Sequence, residues 1–581
     1  VAEYGSWMLI VVLLRHLLVV LGWLPGSASL AAFGAGFVVS RVIRVMVTDQ
    51  GMEVFVRGQR PVTRGQAVRA MERLAGQAAA DPQASLPSPV WCGVPLPPRA
   101  AENHFLALGM PGAGKSTIFR VLMGSVLRDI GRLPGHRALV YDDKRDYLPL
   151  LRRLVDPSRV ISMNPFDQNG YGWDIAADVQ DPATAMQVAA NLIPATPGDK
   201  NAYFTNAARE LLSGVMEAFN EIAPRAWTFW DVLVAVSRPE RLRLVLCQTT
   251  STASLVETYF GARSGADIIS TLREKTGLLR TVAAGWREAP MISLSDWING
   301  QGIIVLSNDE LVREPLMAVN RALFGLMAQL LLNQGEPVSG RTWVFLDEMR
   351  EASRLEEAHS LLNRGRSKKV TVVLGFQAIE GLKAIYEDNV AEELAGQCGI
   401  KALMAVESVP SRSWASQVLG SVDQMEYQRS WGRDVTVSEH RNQRPVVLPE
   451  QFAQMPRLQT HGVLAAWCLT PYSPPFYQEV AGEALNELTR PVGVPDPEPY
   501  CRRQPGELVL GDWEQEDHDR LNLRELPDEA PGDDGPDGGD LGQDPGDGPA
   551  LPPDGPDDPP PPRPGRGGGR DRRMRRVPPL R

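Results

Sequence analysis

From residue 103 onward, short apolar runs alternate with amphipathic stretches. The runs cover residues 105–108, 138–141, 160–163, 303–306, 343–346, 370–374 and 402–406. Continuous runs this short, rather than strict alternation, mark strands buried on both faces of a parallel sheet, with helices crossing between them. The rhythm stops between Asp181 and about Pro290. There a helical period predicts helices over 183–192, 205–219, 227–236, 251–260 and 272–286. The pattern predicts an α/β domain with an all-helical insertion in its strand order.

The first 46 residues read differently. Two apolar stretches, 7–24 and 28–46, flank the turn Pro25-Gly26-Ser27. Each is about as long as a bilayer crossing requires, so they predict a transmembrane helical hairpin, with Arg15 as a costly charge inside the first span. Arg41 and Arg44 after the second span place the following body in the cytoplasm. Residues 47–98 read as a linker holding one helix near 66–74 and a Pro- and Ser-rich boundary at 81–98. After Pro475 the strand–helix rhythm fades, and from about Pro505 Asp, Gly and Pro dominate. Such a stretch offers too little apolar surface to offset its chain entropy, so a mostly disordered tail is predicted. The domains are then a transmembrane hairpin (1–46), a linker (47–98), an α/β domain in two parts (99–180 and 291–475), an all-alpha domain between them (181–290) and a tail (476–581).

Charge refines this picture. The net charge is −10 over 581 residues. Residues 500–562 hold 18 acidic residues against 4 Arg, and 563–581 hold 8 Arg against one Asp. The near-neutral body supplies no overall attraction for nucleic acid, so any DNA surface must be a local patch or a pore lining. The five cysteines are far apart and include no CxxC pair, which argues against zinc and for reduced thiols.

The chemistry concentrates at two strand ends. Gly109-Met110-Pro111-Gly112-Ala113-Gly114-Lys115-Ser116 matches the G-x-x-x-x-G-K-[ST] phosphate loop, preceded by an apolar run and followed by a helical stretch beginning at Thr117. Glycines let backbone N–H groups wrap phosphates, and the helix N-terminus adds a favourable dipole. Lys115 would reach the β- and γ-phosphates of ATP, and Ser116 would bind Mg2+. The run 343–346 ends in Asp347-Glu348: one carboxylate to hold Mg2+, the next to polarise the attacking water. Gln377, after the run 370–374, sits where other ATPases of this layout place a γ-phosphate sensor. Arg366 lies in the basic stretch 363–369, which in a ring could reach a neighbouring subunit's nucleotide.

From the hairpin to about Pro471 the chain resembles the type IV coupling proteins, the TraD/TrwB-like ATPases of conjugation and type IV secretion. The likeness rests on ordered motifs beyond the phosphate loop: Tyr141-Asp142-Asp143-Lys144; Asn164-Pro165-Phe166-Asp167 followed by Trp173-Asp174; 292–297; 365–368; Gly375-Phe376-Gln377; Val418-Leu419-Gly420; and 444–449. The resemblance implies a RecA-like P-loop domain carrying an inserted all-alpha domain, a homo-hexameric ring, Arg366 as the finger acting in trans, and a central channel that takes single-stranded or double-stranded DNA without reading its sequence. It further implies an inner-membrane ATPase, multi-pass and mostly cytoplasmic, that receives a relaxase-bound strand and delivers it to the type IV secretion channel proteins. Delivery of protein effectors is the alternative cargo. The short turn 25–27 departs from the larger periplasmic piece of many members, and the acidic tail is a candidate partner site.

Overall fold

The computed structural model describes residues 52–78, 87–194, 202–261, 263–335, 337, 339–348, 356–431, 435–489 and 500–525. The expected transmembrane hairpin, part of the Pro- and Ser-rich stretch and the tail beyond 525 lie outside them.

A nine-stranded sheet organises the molecule. Its strands, in chain order, are β1 (Phe105–Leu108), β2 (Arg137–Asp142), β3 (Val160–Ser162), β4 (Gly302–Ser307), β5 (Thr342–Leu346), β6 (Val370–Phe376), β7 (Ile400–Leu403), β8 (Val463–Thr470) and β9 (Ser473–Ala481). They lie side by side as β9-β8-β7-β1-β6-β5-β2-β4-β3. The seven from β7 to β3 are parallel, and β8 and β9 extend the β7 edge antiparallel. Every residue of the seven parallel strands is buried, as expected of strands covered by helices on both faces. The strand expected over 402–406 is β7, shifted toward the N-terminus. Strands β8 and β9 were not expected; β9, the outermost, is only partly buried and carries Pro, as an edge strand does.

Between the short parallel pair Gly172–Trp173 and Met291–Ile292 lie, among the described residues, eight helices: Ile175–Asp178, Pro182–Leu192, Ala202–Ile222, Phe229–Ala235, Pro239–Leu246, Thr250–Phe260, Gly265–Gly277 and Arg280–Trp286. Their starts are written locally. Asp181 accepts the Thr184 N–H at 3.0 Å, and Thr228 and Asp231 form a reciprocal capping box. The single helix expected over 272–286 is two helices, and Pro239–Leu246, begun by proline, lay outside the expectation.

Two expectations are corrected. Residues 47–98 are not a linker where they are described. Met52–Gly58 pairs antiparallel with Ser421–Trp431, which pairs in turn with Val435–Pro445. The helix Arg64–Ala78 buries Ala67 and Met71, and the hairpin that follows buries Trp91 and Val94. The described part of the tail is ordered, past the expected limit near 505: β9 and the helix Gly482–Thr489 come first, and residues 500–525 pack on the helical region. Trp513 and Leu521 supply the apolar anchors hidden in that acidic stretch, and Arg520 donates two hydrogen bonds to the fully buried Asp231, at 2.8 and 2.9 Å.

Among the described residues one helix, Glu310–Asn333, is long and apolar enough to cross a membrane. It is a core helix, burying Leu316, Val319, Leu323, Phe324, Met327 and Leu331.

Candidate nucleotide site

The phosphate loop leaves β1 at the C-terminal end of the parallel strands and enters the helix Lys115–Val126. Gly112 and Gly114 have φ of +78° and +112°, conformations that residues with a Cβ rarely adopt. The loop is held from two sides: Gly109 N–H donates to Phe376 O at 3.3 Å, and Met110 N–H to Ala405 O at 2.9 Å. Gln459 N–H, from a distant turn of the chain, donates to Gly112 O at 3.0 Å. Ala113 is buried beneath the loop, and Thr117 follows in the first helical turn. No side chain caps this helix, so its first N–H groups keep the arrangement that suits an anion.

Lys115, Ser116, Asp347, Glu348 and Gln377 converge. The Lys115 ammonium lies 2.5 Å from Glu348 Oε1 and 3.2 Å from Asp347 Oδ1. Ser116 Oγ donates to Asp347 Oδ2 at 3.2 Å, and Gln377 Nε2 to Glu348 Oε1 at 2.9 Å. Consecutive strand residues ordinarily point to opposite faces. Glu348 escapes that alternation by sitting in the left-handed region, at φ 59°, directly after β5. A hydroxyl beside a carboxylate is a hard oxygen pair of the kind Mg2+ takes, and the glycine loop with Lys115 suits a polyphosphate.

Four participants were missed in the sequence. Tyr147 donates its hydroxyl to Asp347 Oδ2. Burial, together with the Asp347 charge, raises that phenol well above its usual range, so it stays a donor. Lys144 reaches Glu348 Oε1 at 3.5 Å. Burial opposes its charge, but the carboxylates of Glu348 and Asp347 outweigh that and raise its pKa. Gly375 is required by space: a Cβ there would lie 2.7 Å from Asp347 Oδ1 and 3.3 Å from Lys115 Cδ. Gln459 is the fourth. Lys144 and Gly375 had a signal, their places in the Tyr141–Lys144 and Gly375–Gln377 motifs; Tyr147 and Gln459 had none in a single sequence. Asp142 of that motif is structural: it accepts the N–H groups of Asp146, Tyr147 and Leu148 and closes the turn, while burial pushes its carboxyl up to about 6.

Arg366 is not brought to this cluster. It lies before β6, whose seven residues run toward the phosphate loop and span about 23 Å. Its side chain is 69% exposed and pairs with Glu102 at 3.5 Å. It helps line a basic recess of about 790 Å3 with Arg341, Arg364, Lys368 and Lys369.

The family model of the type IV secretion-system coupling protein DNA-binding domain matches residues 90–470. The chain belongs to the type IV coupling proteins. Its fold is similar to that of the bacterial conjugative coupling protein TrwB lacking its N-terminal segment: TM-score 0.58 at 21% identity, covering 79% of this chain and 96% of that one. TrwB structures in complex with ADP and Mg2+ and with a non-hydrolysable GTP analogue match with TM-scores of 0.56 and 0.57, each at 20% identity and covering 79% of this chain and 98% of that one. At these identities the structural likeness speaks for the fold. No curated protein matches the chain.

Proposed function

We propose that this coupling protein is a membrane-anchored, hexameric ATPase that joins a relaxase–DNA complex to a type IV secretion channel and drives single-stranded DNA through it. The observation that carries the reading is the meeting of Lys115, Ser116, Asp347 and Glu348 beneath a glycine loop at the end of a parallel sheet. Bound MgATP supplies the phosphoanhydride whose hydrolysis drives movement. Lys115 and the loop N–H groups bind its phosphates, Ser116 and Asp347 hold Mg2+, Glu348 orients water, and Gln377, bonded to Glu348, reports on the γ-phosphate position. Arg366 lies too far along its own strand to serve its own site and serves a neighbour's instead, where a cation offsets developing charge. Residues 1–46 anchor the ring in the inner membrane, with the bulk of the chain cytoplasmic.

The test is ATP turnover by the purified chain with and without single- and double-stranded DNA, beside Lys115→Ala and Glu348→Gln. DNA-stimulated turnover that falls by about a hundredfold or more in both variants is expected. Turnover retained in Lys115→Ala would overturn the site, and turnover indifferent to DNA would overturn the DNA motor.

A further inference from the structure

Residues 500–525 bind two parts of the molecule at once. At one end, Arg520 and Trp513 seat on Asp231 of the helical region. At the other, Tyr500–Arg503 lie along the loop of Asn164–Asp167: Gln168 N–H donates to Cys501 O at 2.8 Å, Arg503 N–H to Phe166 O at 2.9 Å and Cys501 N–H to Asp167 Oδ1 at 3.2 Å. This end also meets the turn after β2. The Arg145 guanidinium lies 4.4 Å from the Tyr500 ring and 3.5 Å from Asp309, and the Tyr500 hydroxyl donates to the same Asp309 carboxylate at 3.2 Å.

The residue before Arg145 is Lys144, whose ammonium sits 3.5 Å from Glu348 Oε1. One turn therefore sends consecutive side chains to the water-orienting carboxylate and to the tail. That turn has little freedom. Asp142 closes it through three N–H groups, and Arg145 is left-handed at φ 58°. Glu348 Oε1 already accepts from Lys115 and Gln377. A carboxylate oxygen engaged by a second ammonium is a weaker acceptor for water.

We propose that the segment 500–525 is a restraint on hydrolysis: by pinning Arg145 through Tyr500 it keeps Lys144 on Glu348, so that displacing the segment from the helical region releases the carboxylate and raises turnover. Lys144 is then a positioning residue, and the helical region and the nucleotide site communicate through the tail. The proposal rests on the ATPase reading above.

Steady-state turnover of the full chain tests it, with Lys144→Gln, Tyr500→Ala and the double variant. Each single change should raise kcat about two- to fivefold with KM unchanged, the effect of one half-exposed charge contact. The double variant should equal Lys144→Gln, because both changes act through one contact. Tyr500→Phe keeps the ring, loses the hydroxyl's bonds to Asp309 and to Phe166 O and should lie between wild type and Tyr500→Ala, which guards against a folding defect in the larger change. Tyr500→Ala equal to wild type, or adding its full effect to Lys144→Gln, would overturn the restraint. Lys115→Ala in each background separates the two claims. Turnover that survives it refutes the nucleotide site; turnover that vanishes, with non-coupled Tyr500 and Lys144 effects, refutes only the restraint.

Discussion

At the scale of single residues, the site depends on a departure from strand geometry. Asp347 and Glu348 were legible as a carboxylate pair ending an apolar run, and Lys115 and Ser116 from their spacing. That both acids reach Lys115 follows from the left-handed backbone at Glu348, which no spacing rule announces. The same crowding explains Gly375. A methyl group there would press on Asp347 Oδ1 and Lys115 Cδ and, a few tenths of an ångström too close, on the buried ring of Phe119, all side-chain atoms rather than backbone. Gly375→Ala should therefore fold, with a melting temperature within a few degrees of wild type, yet bind nucleotide about tenfold or more weakly, because the carboxylate and ammonium are displaced. Titration of a fluorescent ATP analogue checks this; unchanged affinity would mean that the two side chains are not held in place for the phosphates.

Among the elements, those with the plainest pattern were the most legible. The seven parallel strands are buried along their whole length, so their apolar runs stand out. Residues 55–78, β9 and 500–525 are half-exposed or held by a few anchors, and their patterns are diluted by polar positions, whereas β8, with five of its eight residues buried and none exposed, carries an apolar run that was passed over. Buried polar contacts that tie elements together were invisible too. His104, just before β1, accepts the Val372 N–H of β6 at 3.0 Å through Nδ1 and bonds Leu362 O at 2.9 Å through Nε2. The first contact requires a bare Nδ1, so the ring is the neutral Nε2–H tautomer. Burial, aided by the charges of Arg341 and Arg366 and opposed by the Leu362 bond, lowers its pKa to about 4 from 6.5. Between those values the unfolded chain takes up a proton that the folded chain refuses. Stability should thus fall as pH drops from 6.5 toward 4, by on the order of 3 kcal/mol from this group. Urea unfolding across that range, compared with His104→Gln, should show a steeper pH dependence in the wild type; equal slopes would remove His104 as the cause.

For the whole molecule, the net charge of −10 means that the DNA of the proposed motor must be held by a local basic surface rather than by the overall field. Binding should be insensitive to sequence and should weaken steadily with salt, the log of affinity falling linearly with the log of salt concentration. Fluorescence anisotropy with unrelated oligonucleotides at several salt concentrations measures this, and a flat salt response would exclude a phosphate-gripping channel.

The sequence by itself determined the parallel strands, the phosphate loop, the acid pair and the helical insertion, because each depends on neighbours within a few residues: burial of a short apolar run, conformational freedom at a glycine, a cap at a helix start. Only the tertiary structure decided which distant segments meet. Tyr147 and Gly375 at Asp347, Gln459 over the loop, the first described strand against 421–431 and the tail bridging Asp231 to Arg145 each join residues brought together by the packing of the sheet. No local period records such a contact, since its energy depends on the surface that other elements present.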